Sequence, residues 1–224
     1  MIKRLISLLL LLAFLMIAFQ FLISSILIVK PEQTISQWEN KNLPIDIEQA
    51  ESIISRLSRA EKLSLLPFKL TDKNKINELY SRLYLVLAEV EQSTANLQLA
   101  EYYALKMTHS APSHYLGWTL LAQSRITRLD YTWEDQSALS KSLRLGPFER
   151  KNQIRLIPII VEHWERLTSK NKLLANNMLR ASLNELHMSR SVALNMRQFK
   201  NTIPFKQLIA NSKFKQRIMR VLEQ

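Results

Sequence analysis

The sequence predicts an all-α protein: an N-terminal transmembrane helix followed by a stack of antiparallel helix pairs. Three observations predict it. Residues 5–29 hold no charge, and only Ser7, Gln20, Ser24 and Ser25 among them are polar. Beyond Lys30 the apolar residues recur three and four apart, the spacing of one helix face, and no convincing period-two strand is found. Two glycines in 224 residues are too few for the positive-φ turns of most β-rich folds.

The first element is the apolar run. A helix over those residues is about 37 Å long, enough for a hydrocarbon core of about 30 Å. A cleaved signal peptide has a shorter apolar region and ends in a small-x-small site. Val29, Lys30, Pro31 and Glu32 make no such site, so residues 1–30 are expected to be an uncleaved signal anchor. Lys3 and Arg4 flank it on one side; Lys30 and Lys41 on the other are offset by Glu32 and Glu39. The positive-inside bias then places the N-terminus in the cytoplasm and the bulk outside. In a bacterium with two membranes that is an inner-membrane, single-pass protein with its C-terminal part in the periplasm. Residues 31–44 are polar and are expected to form a stalk, and residues 45–224 one helical domain, since no Gly/Ser linker divides them.

Within that domain the helices follow from periodicity. Asp46 is placed to cap a helix carrying Ile47, Ala50, Ile53, Ile54 and Leu57. The pattern breaks over 65–72, at Pro67, and resumes through Ile76, Leu79, Leu83, Leu87 and Val90. Ala100, Tyr103, Ala104 and Met107 mark the next helix; Tyr115, Trp118, Leu121 and Ala122 the one after. Residues 130–135 read as a loop. Ala138, Leu139 and Leu143 lie on a short helix that stops at Gly146-Pro147, a helix-ending glycine followed by a proline suited to a new start. Residues 148–167 are helical, with Pro158 marking either a kink or a meeting of two helices. Ser169 is a candidate cap for a helix through Leu174, Met178 and Ala181, and one last helix is expected over 205–222.

One junction is more specific. Ala100-x3-Ala104-x2-Met107-x4-Pro112 precedes Trp118-x2-Leu121-Ala122. This is similar to the tetratricopeptide pattern, in which small residues let successive helices approach and a proline ends the pair. Met107 and Arg125 depart from it, and Ala138 comes about four residues late, so the expected repeat is degenerate. Ala100, Ala104, Pro112, Trp118, Leu121, Ala122, Gly146 and Pro147 are its candidate structural residues. The alternative is that they are core residues of an irregular helical domain.

The order of the chain adds a family resemblance. An anchor precedes the junction from Ala111 to Ala122; then come Gly146-Pro147-Phe148-Glu149 and Trp164-x2-Leu167, with a basic helix beyond. This resembles the VpsP-like exopolysaccharide-biosynthesis family, small membrane-anchored proteins with tetratricopeptide-like helices. The resemblance covers the anchor and about residues 95–185. It implies a process, the biosynthesis or export of a surface exopolysaccharide and hence the cell envelope and biofilm, with protein partners in polysaccharide assembly. It implies no reaction and no functional residue.

Composition excludes much chemistry. No cysteine occurs, so there is no disulfide, thiolate zinc site, iron–sulfur cluster or cysteine nucleophile. Gly117 and Gly146 cannot build a Gly-rich phosphate loop, and there is no G-x-S-x-G elbow. His109 and His114 straddle a helix end, His163 sits in Glu162-His163-Trp164-Glu165 without zincin spacing, and His187 stands alone, so no metal site is expected. Glu89, Glu91 and Glu101, or Glu162 and Glu165, would serve glycoside chemistry only across a cleft about 5–10 Å wide; helical spacing makes the last pair a solvated face. A nucleotide-sugar glycosyltransferase would need alternating strands and helices. The expectation is no catalytic residue, no cofactor and no enzyme.

The charge is uneven. Of a net +12, residues 188–224 carry eight basic side chains (Arg190, Arg197, Lys200, Lys206, Lys213, Lys215, Arg217 and Arg220) against Glu223 alone. On a single last helix Lys206, Lys213, Arg217 and Arg220 would fall near one face. Together with Arg197, Lys200 and Lys215 they are the candidate anion- or partner-binding residues. The simplest role is the solvated outer side of a capping helix. The alternatives are anionic lipid headgroups, at about 1 kcal/mol per near-surface cation, and an acidic polysaccharide or partner protein. Nucleic acid fits the charge but not a periplasmic placement, and is not expected. Two functions thus stand side by side: a membrane-anchored scaffold acting through protein contacts, and a direct binder of acidic glycan or anionic lipid.

Overall fold

The computed structural model describes residues 2–40, 43–64, 72–128, 136–185, 188–197 and 203–223. Among them are eleven α-helices, one 3₁₀ turn and no strand. The expected breaks at 65–71 and 129–135 lie outside the described residues. Where one domain was expected after the anchor, the chain divides into two compact units, Met1–Tyr103 and Ala104–Gln224.

The first unit contains α1 (Ile2–Glu39), α2 (Ile47–Ser64), α3 (Lys73–Glu91) and the beginning of α4 (Thr94–Ser110). α1 is long and apolar enough to cross a membrane, and its side chains from Leu9 to Val29 are largely exposed. It does not end at Lys30. The segment expected as a stalk continues as helix through Pro31 to Glu39. The reason lies in the spacing of its residues. Ile35 and Trp38, three apart, are buried against Leu57, Leu79 and Leu83, while Glu32, Ser36 and Glu39 form a polar stripe on the same helix. Proline supplies a helix-compatible φ and costs the helix one hydrogen bond; burying Ile35 alone returns about 1.5–3 kcal/mol.

α2 starts where the Asp46 cap was expected: its Oδ1 accepts from the Glu48 and Gln49 amides at 2.9 and 3.3 Å. Ala50, Ile53, Leu57 and Ala60 then turn one buried face to α1 and α3. α3 is capped by Asp72, whose Oδ1 accepts from the Asn74 amide at 2.8 Å, and closes on Gln92 at φ 50°. Tyr80 of α3 stacks on Tyr103 of α4 at 4.4 Å between ring centroids, with Tyr84 5.9 Å from Tyr103.

Burial raises the phenol pKa of all three rings; Tyr103 is pushed up to about 12, and Tyr80 further, each aided by its tyrosine neighbours and by Glu61. An acid whose folded pKa exceeds its unfolded value keeps its full contribution to stability below the unfolded pKa of about 10 and loses it as pH rises. Alkaline titration followed at 295 nm is therefore expected to show these rings ionising above pH 10, in step with unfolding. Ionisation of all the tyrosines near pH 10 without loss of helix would refute that.

The second unit contains the end of α4, α5 (Tyr115–Thr127), α6 (Ser137–Leu145), α7 (Arg150–Glu162), a 3₁₀ turn (Trp164–Arg166), α8 (Ser169–Leu183), α9 (Ser189–Met196), α10 (Ile203–Ala210) and α11 (Lys215–Glu223). Its helices form two layers. α5 packs on α7, α7 on α9 and α9 on α11; α6 packs on α8 and α8 on α10. Contacts of α5 with α6 and of α7 with α8 tie the layers together.

Fully buried polar groups fix this arrangement. The Asn152 amide nitrogen donates to the carbonyls of Ser142 (3.1 Å) and Gly146 (2.7 Å), and its Oδ1 accepts from the Thr119 and Ser142 hydroxyls at 2.6 and 2.9 Å. One side chain of α7 thereby holds α5 and the end of α6. Gly146 is required by space rather than by φ, which is −138°. A Cβ there would lie 2.7 Å from Tyr115 Cγ and 2.9 Å from Tyr115 Cβ. Gly146→Ala is expected to cost about 1–3 kcal/mol through overpacking, and Tyr115→Ala in the same chain to recover part of it. Urea unfolding of the two single variants and the double variant checks this: strict additivity would show that the contact does not matter.

In this unit the open choice at Pro158 is decided and two expectations change. Pro158 lies inside one helix, α7, and the chain turns only afterwards, at Trp164–Arg166. Thr168, not Ser169, caps α8, its hydroxyl accepting from the Asn171 amide at 3.3 Å. The last helix is two helices. Between α10 and α11, Ser212 Oγ donates to the Leu183 carbonyl at 2.8 Å, and Asn184 Oδ1 accepts from the Lys213 amide at 2.9 Å. These bonds from the end of α8 make a turn more stable than an added helical turn.

Candidate functional site

Three places on the described surface carry chemistry. The first is the base of the long apolar helix α1, within the first unit. Arg82 on α3 is only 5% exposed. Its Nη2 donates to Glu39 Oε2 at 2.6 Å and to Ser36 Oγ at 2.8 Å, its Nε to Glu39 Oε1 at 3.0 Å, and its Nη1 to Glu78 Oε1 at 3.1 Å. Lys75 Nζ bridges Glu32 Oε1 at 2.6 Å and Glu78 Oε1 at 3.2 Å. Burial alone would lower the guanidinium pKa; the bonds and charges of Glu39 and Glu78 outweigh it and hold the group above its ordinary value. The two-pronged contact with Glu39 fixes direction as well as distance. This network clamps the end of α1 to α3.

The second place is the layer of α6, α8 and α10. A groove of about 480 Å³ is lined by Leu143, Arg144, Phe148, Leu174, Asn177 and Arg180. A second, of about 350 Å³, is lined by Trp164, Lys172, Asn176, Arg180, Gln207 and Asn211. Arg180 lines both. No carboxylate lines either one. Phe148 is 72% exposed, while the Trp164 ring is steadied edge-on by Phe205 at 5.4 Å.

The third place is the basic end. Arg197 is exposed at the end of α9, and Lys200 lies outside the described residues. Lys206 is exposed on α10, Lys213 is in the turn, and Lys215, Arg217 and Arg220 are exposed on α11. The single basic face expected on one helix is thus divided between two helices and a turn. On α11 the apolar side, Ile218, Val221 and Leu222, faces the core and leaves the cations outward.

The candidate junction residues have different surroundings. Ala100, Ala104, Leu121 and Ala122 are buried, as is Gly146; Pro147 is half-buried and Pro112 exposed. Trp118 is not swallowed by the core. Its Nε1 donates to the Pro112 carbonyl at 2.8 Å, and Lys141 Nζ sits 3.8 Å from the ring centroid. In the second unit the tight approach of α4 and α5 is at Gly117, where a Cβ would lie 3.1 Å from Met107 Cβ. His109 and His114 are exposed, His187 lies outside the described residues, and burial holds the His163 imidazole below its ordinary pKa, with Glu162 opposing. Among the described residues no three His, Asp or Glu side chains meet as a cation site.

Sequence reasoning missed Arg82 and its partners, and both grooves. The Glu78–Arg82 spacing of four was visible on the α3 pattern, a pair that shares a helix face; its link to Glu39 was not. Fold and surface define an all-helical protein with one N-terminal helix fit to cross a membrane. No family model, curated protein or solved structure matches the chain.

Proposed function

We propose that this protein is a membrane-anchored helical scaffold in the production or export of a surface polysaccharide, acting through contacts with partner proteins. The carrying observation is the continuity of α1. One helix runs from the apolar stretch into the core of the first unit, and Arg82 clamps it there. A protein built this way holds its anchored unit at a set angle and height above the bilayer, which suits a part that positions others. The two-layer packing of α5 to α11 has the neighbour pattern of stacked helix pairs, which supports the tetratricopeptide-like reading of the second unit. The process comes from the VpsP-like resemblance. The proposed placement is the bacterial inner membrane with the C-terminal part in the periplasm, from the charges flanking the apolar run. We assign it no catalytic step.

Crosslinking in cells with a tagged full-length chain is expected to recover a defined envelope partner, and deletion to reduce the surface polymer. Recovery of none, together with an unchanged polymer, would sink the scaffold reading. A reporter active only outside the cytoplasm, fused after Gln224, is expected to be active; silence there with an active cytoplasmic reporter reverses the topology.

A further inference from the structure

The two grooves on the α6–α8–α10 layer are the strongest feature that the scaffold reading leaves unused. They lie on successive helices of one layer and share Arg180. Each carries one aromatic ring, Phe148 in the first and Trp164 in the second. Each also carries side-chain amides that make no side-chain hydrogen bond among the described residues: Asn177 in the first, Asn176, Gln207 and Asn211 in the second. Arg144 and Arg180 have no ion-pair partner among the described residues, and Lys172 is held at 3.3 Å by Glu165. Volumes of about 480 and 350 Å³ are within the range of about 300–1,000 Å³ that holds small ligands.

We propose that this pair of grooves is a binding site for a short stretch of an acidic, carboxylate-bearing sugar chain, laid across α8 with Arg180 at its middle. The chemistry selects that ligand. A sugar ring has an apolar C–H face and a rim of hydroxyls. The face packs on an aromatic ring, the hydroxyls pair with amides that donate and accept at once, and a carboxylate takes a guanidinium in two-pronged geometry. All three partners recur here, and no acidic side chain lines the grooves to repel the chain. A Glu-rich peptide would use the arginines and pair its backbone with the amides, but it brings no sugar-ring C–H face to Phe148 or Trp164. A membrane surface would meet the cations without entering a groove. The site differs from the basic end of the chain in that the outward cations of α11 line neither groove. The inference rests on the polysaccharide process proposed above for its setting, not for its geometry.

The test uses the full chain in detergent micelles and, as probes, tetragalacturonate, neutral cellotetraose, a Glu-rich pentapeptide and vesicles containing anionic phospholipid. Binding of tetragalacturonate is expected to exceed that of cellotetraose and to weaken with salt. It is expected to fall at least tenfold in both Arg180→Ala and Phe148→Ala. Both residues are exposed, so circular dichroism should show the fold intact. Four outcomes would each overturn the site. One is equal binding by the neutral sugar. Another is tighter binding by the peptide or vesicles that is lost in the same variants. A third is sugar binding unchanged in these variants but abolished by Arg217→Ala with Arg220→Ala. The last is no sugar binding at low salt. None of these touches partner recovery or the deletion phenotype, so loss of the site leaves the scaffold reading to stand or fall on its own test.

Discussion

Arg82→Ala is expected to destabilise the first unit by about 3–5 kcal/mol, the cost of removing one partner from a buried ion pair. The loss is not that of one favourable contact. Glu39 and Glu78 would remain largely buried, Glu78 with Lys75 still beside it, and the hydrogen bonds that Arg82 makes to Glu39, Glu78 and Ser36 would be gone. Urea unfolding of the full chain in micelles, followed by circular dichroism, reads the effect. Two further variants separate charge from fit. Arg82→Lys keeps the charge but loses the planar fork, and is expected to recover only part of the stability. Arg82→Met with Glu39→Gln and Glu78→Gln removes the arginine together with both of its carboxylate partners, and is expected to come close to the native value. If Arg82→Ala unfolds at the native urea concentration, the network is a solvated ornament and α1 is held by apolar packing, with Ile35 and Trp38 at its centre.

The second large effect is expected from Asn152→Asp, a change of one atom. Asn152 is fully buried and donates to the Ser142 and Gly146 carbonyls. A carboxylate oxygen in place of that nitrogen would point at two acceptors with no water to screen it. The variant is expected to lose about 3–5 kcal/mol at pH 7, as for an uncompensated buried charge. Its pH dependence identifies the cause. Burial raises the folded pKa of the new carboxyl above its unfolded value of about 3.9. The unfolded state then releases its proton first, so stability falls as pH rises from about 4 toward the folded pKa. Below that window the protonated acid donates one hydrogen bond again and the deficit is smallest. Asn152→Leu carries no charge and should lose stability without this pH slope. A pH-independent deficit in Asn152→Asp would mean that water reaches the site.

Much of the fold was legible in the chain because helices announce themselves locally. The apolar run, the cap at Asp46, and the three-and-four spacing of Ile76, Leu79 and Leu83 are set by residues within a few turns of one another. So was the end of α6 before Gly146, although its reason was not: the residue is a glycine because the Tyr115 ring lies where a Cβ would be. The stalk was misjudged because its residues are polar by count, whereas Ile35 and Trp38 fall on one face and find a core in α2 and α3. The split of the last helix was hidden for the same kind of reason. Asn211, Ser212 and Lys213 interrupt its apolar pattern between Ile209 and Phe214, but only Leu183 and Asn184, about thirty residues earlier, supply the bonds that favour a turn.

The candidate sites divide along the same line. That the basic residues crowd the C-terminal end was plain from composition, since charge is a property of the chain. Which groups converge was not, because convergence depends on packing between helices far apart in sequence. Arg144 and Phe148 from around α6, and Asn177 and Arg180 from α8, share a groove only because α6 packs on α8. By itself the sequence determined an all-helical chain with one membrane-fit segment and a basic end, all of it local in origin. The tertiary structure alone decided that α1 enters a core, that Arg82 locks it there, and that one layer of helices presents adjoining, carboxylate-free grooves, because each requires side chains brought together by long-range burial.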